Sequence, residues 1–498
     1  MRDIKVYIPK NSGFVQVLLV LASCIFATTT GYDSAVMTGF NIIPAYANYF
    51  KLDTVTRSVL TAVSFVGAIV SALSFGPICN KIGRKNTIIV SAFIKFLGIG
   101  LMAGAQSYGM FLAARVVLGF GSGISGIGTP TWLAETLPYK RRGSGLSLIF
   151  AVYFVGSLTA AGVTYGCSAL SGNIGWRLPS ALQGMFSGAS LLIVLFCPES
   201  PRWLIYMGRT EEALQVVAYT HSNGDIAALE TVAQHQEIID NITWERENGE
   251  TLSYAQVFRT ASARKRILLV FSMVIFSTLT GNSIITYFLG SVLDQAGVTN
   301  SHTQLEINIV LQAWNLVCAL VGSQLVDRIG RRTMALASVG CCTVFLFLLG
   351  GLTKLYGGSA NTSGNYAVVA VIFLFQGSYA FGVTNLTLLY PPEVLSYSIR
   401  ATGMAIFTAG NFSFTIFTVF AMPLALKHIG YKMYLINACW DVLQVAFIYF
   451  LWVETSGKTL EEIEAYFDGE NHGDTENLGK EMLGGKNATS SVEPVDAR

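Results

Sequence analysis

Two ionisable side chains inside apolar runs are the first candidates for chemistry in this sequence. Asp33 interrupts the run 14–39 and Arg115 the run 111–134. A charge buried away from water is costly, so each marks a functional site by default. At ~1.5 Å per residue of helix the two lie at similar depth below the same end of their runs, close enough to pair. A fixed guanidinium favours the carboxylate, and desolvation favours the neutral acid. A group so balanced can take up a proton on one side of a membrane and release it on the other. A static ion pair that fixes helix packing is the plainer reading. Lys95 (run 87–106) and Asp441 (run 433–453) are also intramembrane charges. Their depths differ and they are not paired. Lys95 is expected to snorkel to the surface; Asp441 has no assigned role.

Neutral polar groups form a second set. The run STLTGNSIITYF (277–288) supplies Thr278, Thr280, Asn282, Ser283, Thr286 and Tyr287. Gln312, Trp314, Asn315, Asn385 and Asn411 stand in later runs. Amides, hydroxyls and aromatic faces near a bilayer midplane suit a hydroxylated small molecule. Ser and Thr equally serve as helix–helix glue, so the asparagines weigh most.

Charged landmarks recur in two copies. Asn80-Lys81-Ile82-Gly83-Arg84-Lys85 is matched by Asp327-Arg328-Ile329-Gly330-Arg331-Arg332. Glu135, Leu137, Tyr139 and Arg142 have the spacing of Glu393, Leu395, Tyr397 and Arg400. Glu199 follows the sixth run as Glu454 follows the twelfth. The offsets are 247, 258 and 255 residues, which marks a parallel repeat. Positive-inside anchoring explains the arginines alone. A network of Arg84, Glu135, Arg142, Glu199, Asp327, Arg331, Glu393, Arg400 and Glu454 at the inner helix ends would serve as a cytoplasmic gate. With Asn80 in place of an acid, the first copy should be the weaker.

The elements that position these groups follow from composition. Of 498 residues 12% are charged, about half the ~25% of a soluble domain, and 52% are hydrophobic. A net charge of +2 gives no basic field for nucleic acid. The eight Cys and five His show no metal-ligand spacing and no disulfide framework, so no metal or other cofactor is expected. Twelve stretches are long enough to span a bilayer: 14–39, 58–79, 87–106, 111–134, 145–167, 180–197, 267–289, 306–326, 334–353, 366–390, 402–423 and 433–453. Short loops on one side carry ten basic residues against six on the other, so that side is cytoplasmic, with both termini. The fold class is an all-α integral membrane protein: twelve transmembrane helices as two six-helix pseudo-repeats with a cytoplasmic helical loop. The divisions are 1–13 (N-terminus), 14–197 (first half), 198–266 (loop, helical near 211–219 and 226–239), 267–453 (second half) and 454–498 (tail, opening on a capping box at Thr459 and Glu462).

The stretches GYDSAVMTG (31–39), GPICNKIGRK (76–85), ARVVLGFGSGISG (114–126), AETLPYKRRG (134–143), PESPRWL (198–204), VDRIGRR (326–332), PPEVLSYSIRATG (391–403) and VETSGKTLEEI (453–463) resemble the sugar porter family of the major facilitator superfamily. GWRLPSALQ (175–183) is similar to fungal hexose and lactose-permease members. The resemblance implies that Asp33 and Arg115 are a proton-coupling pair and that Asn315 and Asn411 contact sugar. Phe150, Ser277, Thr278, Ser283 and Leu388 depart from the family's amides and tryptophan, implying a more apolar pocket. The expected function is proton-coupled symport of a sugar or sugar-like molecule by alternating access. The expected substrate-binding residues are Thr278, Asn282, Ser283, Tyr287, Asn315, Asn385 and Asn411. Transport of a polyol, organic acid or secondary metabolite, or nutrient sensing on the same fold, are the alternatives. The expected setting is the plasma membrane, as a monomer, with substrate, protons and lipid as partners and a glycan on Asn361. An enzyme is not expected: Gly457-Lys458-Thr459 imitates the end of a phosphate loop, but Trp452 stands where its first Gly must be.

Overall fold

The computed structural model describes residues 11–170, 172–248, 261–357, 361–395, 397–457, 463, 466 and 467, and the regular structure among them is helical. In the first half run α1 (Ser12–Ile42), α2 (Pro44–Phe50), α3 (Thr54–Ile82), α4 (Arg84–Ala103), α5 (Tyr108–Thr136), α6 (Tyr139–Ser168) and α7 (Ile174–Leu195). The connecting segment holds α8 (Pro201–Tyr206), α9 (Thr210–His221) and α10 (Leu229–Asn248). The second half holds α11 (Ala261–Leu279), α12 (Asn282–Gln295), α13 (Ser301–Ile329), α14 (Arg331–Tyr356), α15 (Thr362–Phe381), α16 (Val383–Val394), α17 (Tyr397–Ile429) and α18 (Lys432–Leu451). Eleven stretches among the described residues are long and apolar enough to cross a membrane. The twelfth expected stretch lies in α6, a helix of 30 residues.

Local chemistry sets the ends. Asn11 caps α1 by accepting from Phe14 N, Ser107 caps α5 through Met110 N, and Asp53 with Thr56 forms a capping box on α3. Two expected single helices are broken. The seventh span divides into α11 and α12 at Gly281, whose φ of 85° is left-handed. The tenth divides into α15 and α16 at Gly382. Arg177, expected in a connection, sits in the first turn of α7 and donates to Ala105 O at 2.9 Å. Ile463 is buried and Phe467 lies under the Arg266 guanidinium at 4.7 Å; the capping box at Thr459 and Glu462 falls outside the described residues.

The outer surface of the bundle is apolar. Phe93, Leu97, Leu192, Val310, Leu443 and Phe450 are all exposed, as side chains facing hydrocarbon must be. The two halves meet along α3 with α17 and α6 with α13. At the end of the bundle that carries the basic loops (the basic face), Gly83 (φ 96°, ψ 164°) and Gly330 (φ 91°, ψ 152°) turn the chain between consecutive spans. Only glycine adopts this conformation readily, and a Cβ at either position would strike the carboxylate of Glu199 or Glu454. Gly83→Ala and Gly330→Ala should each cost about 1–3 kcal/mol and lower the thermal midpoint of the purified protein. Gly100→Ala, with open space around its Cβ, should not. Equal midpoints for all three would refute this account of the turns.

Candidate functional site

Between the halves lies a cavity of about 1470 Å³. It reaches from Asn80, Val326, Pro392 and Glu393 at the basic face to Thr38, Phe65 and Tyr287 deeper in. Toward the opposite face α1 is bonded to α12. Thr38 Oγ1 donates to Thr286 O, and Asn41 Nδ2 donates to Tyr287 O at 2.9 Å. Arg57 Nη1 braces the same turn through Asn41 O at 3.2 Å. The conformer is closed at that face and open toward the basic one.

All seven expected substrate contacts line this cavity: Thr278, Asn282, Ser283, Tyr287, Asn315, Asn385 and Asn411. Their free hydrogen-bonding capacity differs. Asn385 Nδ2 donates to Phe381 O at 2.9 Å and Ala319 O at 3.3 Å, which ties it to helix packing. Asn411 Nδ2 donates to Ser277 Oγ at 3.0 Å, and Asn282 Oδ1 accepts from Thr286 at 3.1 Å. Thr278 returns its hydroxyl to Val274 O at 2.7 Å, and Ser283 accepts from Thr418 at 3.3 Å. Asn315 is buried and its Oδ1 has no partner. Phe26, Tyr153, Tyr379 and Phe412 supply aromatic wall.

Spacing alone misplaced one residue and missed another. Trp314 points away from the cavity: its ring is exposed and its Nε1 donates to Phe373 O at 2.9 Å. Gln312 and Asn315 are one turn apart and share the cavity face; Trp314 is a single residue off that face. Gln376 lines the cavity unannounced. Its signal was an amide inside the apolar run VIFLFQGSYAF.

Asp33 is partly exposed, beside the cavity-lining Ser34 and Ala35. It does not pair with Arg115 in this conformer. Its carboxylate accepts from Gln183 Nε2 on α7 and from Ser122 Oγ on α5 at 3.3 Å. Arg115 is turned to Leu60 O (3.3 Å) and Ser64 Oγ (3.0 Å) on α3. Lys95 does not snorkel. It is fully buried, its Nζ has no hydrogen-bond partner and stands 5.4 Å from the Phe26 ring centre. Among the described residues, Lys95 and Arg115 are close enough to act electrostatically on Asp33. Gln183, an amide inside the run 180–197, gives no sign in the sequence of the acid it meets.

At the basic face the repeated landmarks build one clasp twice. Glu199 accepts from the backbone amides of Arg84 (3.0 Å), Lys85 (3.0 Å) and Ser200 (2.8 Å). Glu454 accepts from those of Arg331 (2.7 Å), Arg332 (3.0 Å) and Ser456 (3.0 Å). Each carboxylate thereby caps the positive end of the helix that starts at its half's Gly-Arg turn, α4 or α14. Burial pushes the Glu199 carboxyl above its ordinary value, and the amides and Arg84 act in the opposite sense. Arg84 forks onto Glu135 at 3.0 and 3.2 Å, and Arg331 onto Glu393 at 3.2 and 2.9 Å. Ser200 and Thr455 hydroxyls complete the two acceptors. Asp327 adds a 2.9 Å contact to Arg331, but it is largely exposed and contributes little. Asn80, in the first copy, has no such carboxylate. Every one of these pairs lies within one half; none bridges the halves. The side chains of Arg142, Arg400, Phe150 and Leu388 lie outside the described residues.

The model of the family described as sugar (and other) transporter matches residues 19–467. The chain belongs to that family. It is a transporter and not an enzyme, with the helical architecture of the major facilitator superfamily. It is 30% identical to the MFS-type transporter oryC of Aspergillus oryzae, over 94% of this chain and 88% of that one. It is 29% identical to a high-affinity glucose transporter of Kluyveromyces lactis, over 89% and 83%. The solved proton:xylose symporter XylE, bound to 6-bromo-6-deoxy-D-glucose, superposes with a TM-score of 0.74 at 21% identity, over 92% of this chain and 100% of that one.

If each clasp belongs to its own half, truncations at Arg84 and Glu135 should couple by about 1 kcal/mol in a double-mutant unfolding cycle. Arg84 and Glu393, in different halves, should be additive. Coupling of the second pair equal to the first would contradict this assignment.

Proposed function

We propose that this transporter carries a sugar or sugar-like polyol together with a proton, by alternating access. The observation that carries the substrate side is Asn315: a buried amide oxygen without a partner, on the wall of a cavity that also presents Asn282, Gln312, Gln376 and Asn411. A ligand hydroxyl would satisfy that acceptor, and the aromatic wall would cover the apolar face of a sugar ring. The similarity to a high-affinity glucose transporter and a proton:xylose symporter supports the same substrate class.

Asp33 is the coupling acid on this reading, held by Gln183 and Ser122 within the field of Lys95 and Arg115. Arg115 would close on it when the cavity opens to the other side. The basic face is cytoplasmic by the positive-inside rule. Residues 1–13, 198–266 and 454–498 then face the cytoplasm, and the membrane is the plasma membrane. Arg84, Glu135, Glu199, Asp327, Arg331, Glu393 and Glu454, with Arg142 and Arg400, would set the cytoplasmic gate. Asn361, exposed at the start of α15, would carry a glycan.

In reconstituted vesicles, labelled hexoses, pentoses and polyols should be screened with and without an inward proton gradient. One of them should accumulate above equilibrium only with the gradient. Asp33→Asn should lose accumulation and keep exchange; accumulation by that variant would remove Asp33 from the mechanism. Asn315→Ala should raise the half-saturation concentration roughly tenfold, the loss of one ~1.4 kcal/mol hydrogen bond. An unchanged value would move the binding site elsewhere. Asn361→Gln should abolish an endoglycosidase-sensitive mobility shift, and a shift that persists would exclude that acceptor.

A further inference from the structure

The buried polar face of α18 is used by nothing described so far. Asn437, Asp441 and Gln444 recur there at helical spacing, all of them buried. This face lies against the break between α11 and α12. Thr280 Oγ1, one residue before Gly281, donates to Gln444 Oε1 at 3.1 Å. Asn437, in the orientation that satisfies both ends of its amide, donates to Leu279 O at 3.2 Å and accepts from Gly281 N at 3.3 Å. These backbone groups are among those that a broken helix leaves without partners. Asp441 sits between the two amides in sequence and is fully buried. One of its oxygens accepts from Gln444 Nε2 at 3.1 Å; the other has no partner.

Among the described residues no countercharge is paired with Asp441. The titratable group that meets its field is the buried Cys342 thiol of α14. From α11 comes the hydroxyl of Thr280, by way of Gln444. Among the described residues no Lys, Arg or His is paired with it, from α17 or from any other helix packed on α18. A carboxylate there is a charge at membrane depth held by one amide, whereas the neutral acid needs only a single acceptor. The repeat supplies an independent argument. Thr280 follows Asp33 by 247 residues, the offset that separates Gly330 from Gly83. Asp33 of the first span is bonded to Gln183 of the sixth, as Thr280 of the seventh is bonded to Gln444 of the twelfth. Each half therefore joins its first and last spans through a glutamine next to an acid. In one half the acid is on the first span, in the other on the last.

We propose that Asp441 is a second proton-binding site, in the C-terminal half, linked through Gln444 to the break in the seventh span. A hydronium ion would pass its proton to the free oxygen: its O–H bond breaks as the carboxyl O–H bond forms, leaving the neutral acid and a water molecule. The site deepens the proton-coupled reading above, and its test does not use transport.

The full chain in lipid vesicles should be followed by infrared spectroscopy as the pH is raised. A protonated-carboxyl C=O band should fade with rising pH in Asp33→Asn and be missing from the Asp33→Asn/Asp441→Asn double variant. Asp441→Glu, which keeps an acid at the position should the Asn variant fail to fold, should shift the frequency of that band. The proposal is overturned by identical titrations in the single and double variants. It is overturned equally by a band that never titrates, which would mean a permanently neutral structural acid, or by one that Asp441→Glu leaves in place. Uptake indifferent to a proton gradient, with this band still titrating, would defeat the coupling reading and leave the site standing.

Discussion

A carboxylate brought back onto the first amides of an earlier helix is the contact on which this architecture rests. Glu199 and Glu454 each take three backbone N–H groups, and in each half an arginine from the capped helix reaches on to a second glutamate. Three chain segments are fastened at one point: the start of α4 or α14, the end of α5 or α16, and the chain leaving α7 or α18. The Gly83 and Gly330 turns are what let the carboxylate approach so closely. Among the described residues this fastening is repeated within each half and not across them, so each clasp ties only its own half. What joins the halves is the packing of α3 with α17 and α6 with α13, and the short bonds between α1 and α12 at the closed face.

On the proposed alternating-access reading, halves clasped this way would move as units around the shared cavity. The described ion pairs need not break for the cavity to open at the basic face, since they are intact in a conformer where it is open. From sequence these residues are placed only at the inner helix ends, as a gate. The spacing of Glu135 and Arg142, or of Glu393 and Arg400, locates residues along a helix end but says nothing of which neighbour they meet.

Much of the fold was legible because a bilayer imposes it. Apolar runs of the required length, basic loops and the duplicated Gly-Arg turns fixed the helix count and the repeat. The breaks at Gly281 and Gly382 were not legible, since a glycine in an apolar run reads as continuous helix until the neighbouring side chains that satisfy its backbone are seen. The seven cavity residues were legible from residue type and, for Asn315 and Asn411, from the family resemblance, although such groups also serve packing, as Asn385 does. The pairing of charges was read less well. Asp33 found an amide instead of Arg115, and Lys95 stayed buried instead of reaching water. At this depth a neutral donor costs less to bury than a second charge, and sequence gives no sign of which glutamine will be near.

The rigid-halves account is tested most directly by spin-label distances. With the eight native cysteines replaced, labels at the exposed positions Lys81 and Arg328 report across the halves at the basic face, and labels at Lys81 and Leu195 report within the first half. The account predicts two distance populations for the first pair, shifting in proportion with pH or transported sugar, and one unchanging population for the second. A second pair that shifts along with the first would show the clasp opening inside a half, and would contradict it.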